Sequence, residues 1–143
     1  MSLPLCGVRR TPLVVAIFNT SPDIVDLIRQ AFEPAGMVAV TLLTYDIREG
    51  KVDLDNFLTH HNPSVIVYDI APPYDANWNM FLHIRGLPSM QGRKIVITSI
   101  NPKHVERLAG RDVKIYEIVG KPLDLGRLAR AVKEAVRERP SSR

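Results

Sequence analysis

Cysteine is almost missing from this 143-residue chain: Cys6 is the only one. One thiol forms no internal disulfide and builds no Cys-rich zinc site, and such usage suits a reducing compartment. No apolar run approaches the ~20 residues that span a bilayer. Met1–Arg10 lacks an apolar segment long enough for a secretory signal. A cytoplasmic location without a membrane anchor is the expectation. Glycine-rich phosphate loops are missing too. Neither GxGxxG nor a Walker-type run follows the first strand-like segment, so nucleotide binding of those kinds has no support. Aromatics reach only 6%, and no stacking platform or base-reading motif accompanies the basic residues, so nucleic acid is not the expected partner. His60 and His61 are adjacent, so on a helix they diverge by about 100° and make a poor metal pair. His83 and His104 are isolated, and Ser99 has no evident His partner for hydrolysis. The chain is not expected to be an enzyme.

What is present is ordinary for a folded domain. Hydrophobic residues make up 45% and charged residues 24%, which disfavours disorder. The length fits one domain able to bury a core without staples. Charge is uneven: residues 1–70 carry 5 Lys/Arg and 8 Asp/Glu, leaving 14 and 7 in residues 71–143. Residues 103–143 alone hold 11 basic and 6 acidic residues. An acidic partner could use that half, although a merely solvated basic surface explains it as well.

Short β-branched runs alternate with amphipathic stretches. Leu13–Phe18, Met37–Leu43, Ser64–Ile70, Lys94–Ile100 and Val113–Val119 read as buried strands. Ser21-Pro22-Asp23 opens a helix whose inner face is Ile24, Leu27, Ile28, Ala31 and Phe32. Val52–His60, Trp78–Leu87 and Pro102–Leu108 read as further helices, with Ala71–Asn77 a proline-rich loop. Trp78, with Phe81 and Leu82, is expected in the core or as a loop anchor rather than as a cofactor box. Asp124 opens the last helix, with Leu125, Leu128, Ala129, Val132, Ala135 and Val136 facing inward. Strict alternation of strands that are apolar on both faces predicts a doubly wound, five-stranded parallel sheet in a three-layer α/β/α sandwich of the flavodoxin-like kind. Expected boundaries are a leader over 1–11, one domain over 12–137 and a tail over 138–143.

Ligands of such sheets bind at the carboxyl ends of the strands. Asn19 and Thr20 stand there after the first strand, Asp69 at the third, Thr98 and Ser99 at the fourth, and Lys121-Pro122 after the fifth. Asp69 follows five uncharged residues, where a carboxylate is costly unless solvated or paired. Lys121 can pair with it or with a bound anion, and Thr98 can donate to added oxygens. A carboxylate that accepts a phosphoryl group would use such a set. Taken singly, the three are equally a capping Asp, a core-edge Thr and a surface Lys. The run Phe18–Ser21 carries hydroxyls suited to a phosphate but lacks the glycine of such loops, so a flavodoxin-like small-molecule binder is a further alternative.

The stretches VIVYDIAPP at 65–73, IVITS at 95–99 and IVGKPLDLGRLARAVKEAV at 118–136 resemble the receiver domain of bacterial two-component response regulators, over residues 12–137. The resemblance implies that Asp69 is the phosphoacceptor and Thr98 the switch hydroxyl. It implies that Lys121 contacts the phosphoryl group, with Pro122 after it, and it matches Pro73 to the proline four residues beyond the acceptor. It also implies a stand-alone signal-transduction protein in a phosphorelay. Its partners would be a sensor histidine kinase or phosphotransfer protein, a downstream effector on the basic 103–137 region, and a possible homodimer mate. The family's acidic pair falls on Asn19 and Thr20. That leaves Asp69 as the one anionic metal ligand, so Mg²⁺ is expected to bind weakly. Ile118 replaces the usual aromatic, and Tyr74-Asp75-Ala76-Asn77 replaces the usual Asp-Gly loop. The alternative is a phosphorylation-independent interaction module.

Overall fold

Apolar β-branched runs become parallel strands in the computed structural model, which describes residues 12–110, 115, 117–120 and 124–137. The expected leader and tail, together with Lys121 and Pro122, lie outside the described residues. β1 (Leu13–Asn19), β2 (Met37–Leu43), β3 (Val65–Asp69) and β4 (Lys94–Ser99) carry the sheet. A short β5 (Glu117–Gly120) pairs along β4, giving the order β2-β1-β3-β4-β5. All pairings are parallel. Of the predicted fifth strand, Val113, Lys114 and Tyr116 fall outside the described residues. The order 2-1-3-4-5 reverses direction between β1 and β3, as in flavodoxin-like sheets, and places a crevice at that point.

Strand alternation sends successive side chains to opposite faces. Ala16, Phe18, Ile66, Tyr68, Ile95 and Ile97 face one apolar layer, roofed by α3 (Leu54–His61), α4 (Tyr74–Arg85) and α5 (Pro102–Ala109). Val15, Ile17, Val65, Val67 and Val96 face the other, under α1 (Pro22–Phe32) and α6 (Leu125–Arg137). Two roofed faces explain why β3 is buried along its whole length. Among the described residues no helix is long and apolar enough to cross a membrane.

Helix starts follow the cap chemistry. Ser21 Oγ accepts from the Ile24 N–H, Asp53 Oδ1 from Asn56, Asn101 Oδ1 from His104 and Asp124 Oδ1 from Arg127. Asn62 ends α3 in the left-handed region at φ 47°, a conformation Asn tolerates better than most residues.

Most element ends differ from expectation by one or two residues, and two helix starts differ for a clear reason. α4 begins at Tyr74 rather than Trp78, because Pro73 occupies the N-cap, where a missing N–H costs the helix nothing. α3 begins at Leu54 rather than Val52, because Asp53 is its cap. A one-turn helix, α2 (Thr44–Arg48), was not anticipated, since its N-cap Leu43 supplies no side-chain bond. Trp78 and Phe81 are buried in the core, whereas Leu82 is exposed.

Candidate functional site at the carboxyl edge of the sheet

β3 and β4 run in register, with Asp69 opposite Thr98. The Ile70 N–H continues the ladder to the Thr98 carbonyl at 2.9 Å. Both side chains have the strand parity of Val67 and Val96, which places them on the α1/α6 side. Thr98 Oγ1 donates to Asp69 Oδ1 at 2.5 Å. Asp69 is 4% exposed and Thr98 fully buried. A buried carboxylate needs such a donor, and a charge-assisted bond of this length is among the stronger ones. Two of the three predicted members therefore meet, and Thr98 is committed to the carboxylate itself. Lys121 lies outside the described residues.

The other strand ends do local work. Asn19 is 2% exposed, and its Oδ1 accepts the Ser21 N–H at 3.0 Å. Thr20 is exposed and lines a neighbouring cleft. Ser99 Oγ accepts the Asn101 N–H at 3.1 Å, stabilising the turn into α5. Ile118 packs against the α3/α4/α5 layer. Gly120 permits a close approach: a Cβ there would stand 3.2 Å from Pro102 Cγ.

A magnesium ion, implied by the receiver resemblance, would find one carboxylate, Asp69, among the described strand-end residues. Asn19 and Thr20 bring no negative charge, and the Asn19 carbonyl oxygen is already engaged. Among the described residues no group of three or more His, Cys, Asp or Glu could hold a metal. A hard dication held through a single carboxylate is expected to bind weakly.

Tyr68, immediately before Asp69, is 2% exposed and packs edge-on against Phe18 and Phe81. Burial pushes its phenol well above the ordinary tyrosine range. The nearby Arg48 charge opposes the shift and the Asp69 charge adds to it. A raised folded-state value means that stability is fully present below the unfolded value of about 10 and falls as pH rises beyond it. Urea unfolding of wild type and Tyr68→Phe between pH 9 and about 11.5 checks this. The wild type is expected to lose stability more steeply, and parallel curves would contradict it.

Arg48 and Asn77 did not emerge from the sequence as site residues. Arg48 Nη2 donates to Asn77 Oδ1 at 3.0 Å, and Asn77 Nδ2 donates to the Ala71 carbonyl at 2.6 Å. The short, weakly signalled α2 hid the first, and the proline-rich context hid the second.

No protein-family model and no curated protein matches this chain. Solved structures do. A response regulator from Thermotoga maritima superposes with TM-score 0.69 at 15% identity, over 90% of this chain and 100% of that one. A signal receiver domain of a two-component histidine kinase from Clostridium thermocellum gives 0.70 at 15%, over 87% and 98%. The chemotaxis protein CheY4 of Vibrio cholerae gives 0.69 at 16%, over 87% and 99%. At such identities the likeness is one of architecture, and the chain carries the fold of the response-regulator receiver domain.

Proposed function

We propose that this chain is a receiver-type signal-transduction protein whose Asp69 accepts a phosphoryl group from a sensor histidine kinase or a phosphotransfer protein. The supporting observation is the 2.5 Å bond between Thr98 Oγ1 and Asp69 Oδ1 at the carboxyl edge of a sheet of this order. In the transfer, an Asp69 oxygen attacks phosphorus. The donor's P–N bond breaks, its electron pair stays on the imidazole, and an acyl phosphate forms. Thr98 then exchanges its carboxylate bond for a phosphoryl oxygen. That shift is carried by the Ser99–Asn101 turn, where Ile100 is 60% exposed, to α5, while α6 packs against β4. Exposed Lys103, Arg107, Arg127, Arg130 and Arg137 on those helices suit an acidic effector.

A second reading, a phosphorylation-independent interaction module, is favoured by the 4% exposure of Asp69 and by the uncharged residues at 19 and 20. Incubation with acetyl phosphate separates the two. The first reading expects a mass gain of one phosphoryl group, removed by hydroxylamine and lost in Asp69→Ala. The incubation includes Mg²⁺, which Asp69 is expected to hold weakly. No gain, with Asp69→Ala folded and binding its partner like wild type, would favour the second reading instead.

A further inference from the structure

An open cleft of about 720 Å³ lies between α2 and α4, bounded by Pro72-Pro73 and Thr20. Its volume falls within the ~300–1,000 Å³ of small-molecule sites. The apolar part is formed by Ile47, Met80 and Ile84, on the α3/α4/α5 side of the sheet and so across the sheet from the Asp69 side chain. Its polar part is cationic or neutral, and among the described residues no carboxylate lines it.

Arg48 is the centre of that polar part. Asn77 holds its guanidinium through one Nη2 bond and is itself anchored to the Ala71 carbonyl. Among the described residues no carboxylate pairs with Arg48, whereas Arg29 and Lys51 each have an acidic partner. A guanidinium carries five donors in a planar fork, so most of them remain available beside that one bond. Carboxylates match that fork with two parallel bonds. A bare phosphate would leave the apolar part of the cleft uncovered, and a cation would meet a positive charge.

We propose that this cleft binds a small organic carboxylate with a flat apolar body, its carboxylate on Arg48 and its body over Ile47, Met80 and Ile84. The site is independent of the Asp69 reading, because neither Asp69 nor Thr98 lines it. Thr20 stands at its edge, one residue beyond β1, so occupancy reaches the rim of the sheet crevice.

The test is a two-dimensional NMR titration of the full chain with 2-naphthoate, its neutral amide 2-naphthamide, and inorganic phosphate. Naphthoate should shift the amides of Arg48, Asn77 and His83 saturably, and naphthamide should bind about tenfold more weakly or worse, a factor worth ~1.4 kcal/mol. Arg48→Gln should remove that preference. Ala76→Trp, which fills the cleft from an exposed helical position, should abolish binding of both; circular dichroism checks that each variant folds. The proposal is overturned if naphthoate leaves these amides unmoved or if the neutral amide binds equally well. It is equally overturned if inorganic phosphate saturates the same amides as tightly as naphthoate.

Discussion

Phe81→Ala is expected to lower folding stability by about 3–5 kcal/mol, the usual cost of emptying a buried aromatic site. Phe81 is fully buried on α4, with ring centroids 5.0 Å from both Tyr68 and Trp78. The first contact joins α4 to the residue before Asp69, so the cavity would open beneath the end of β3. Domains of this size hold only ~5–15 kcal/mol in total, and one truncation therefore removes a large share. Urea unfolding with an unchanged slope, and a midpoint far below wild type, is the expected result. Leu82→Ala, one position along the same helix but 37% exposed, is the control and should cost less than half as much. Equal losses at 81 and 82 would mean that α4 does not roof the sheet as described.

Arg93→Ala is expected to cost about 3 kcal/mol, although no core side chain is removed. Arg93 precedes β4 at the amino edge of the sheet. Its Nε donates to the Ser89 carbonyl at 2.8 Å, and its Nη1 to Asn62 Oδ1 at 2.9 Å and the Pro63 carbonyl at 2.7 Å. A longer bond from Nη2 reaches the Leu58 carbonyl at 3.3 Å. One guanidinium thus ties the end of α3 and the entry to β3 to the turn before β4. Truncation strands several carbonyls in partly buried positions. Burial lowers the Arg93 value somewhat, yet a guanidinium stays charged at any ordinary pH. The loss should therefore be the same at pH 5 and pH 9. Arg93→Lys should recover less than half, because an ammonium cannot reproduce the fork. A melting temperature within a few degrees of wild type for Arg93→Ala would contradict this role.

These two residues show where sequence reading works and where it stops. Phe81 could be read as a core or loop-anchor residue from its place beside Trp78 in a helical stretch, although Leu82, read the same way, is 37% exposed. Arg93 looked like any charged residue before a strand. Its four acceptors come from positions 58, 62, 63 and 89, and three of them belong to a segment about thirty residues earlier. The start of α4 was placed four residues late, because two prolines resemble a loop until one is seen to serve as the cap.

By themselves, the residues determined the alternation of strands and helices, the caps at Ser21, Asn101 and Asp124, and the placing of Asp69 and Thr98 at strand ends. Each of these depends on neighbours within one turn or one pleat, and such spacing is written directly in the chain. Only the tertiary structure decided that Thr98 spends its hydroxyl on the Asp69 carboxylate. It alone decided that Asn19 accepts the Ser21 backbone N–H, and that Arg48, Asn77 and Ala71 meet around a cleft. Strand order and register set those contacts by bringing distant segments within hydrogen-bonding reach, and no local pattern encodes which segments will meet.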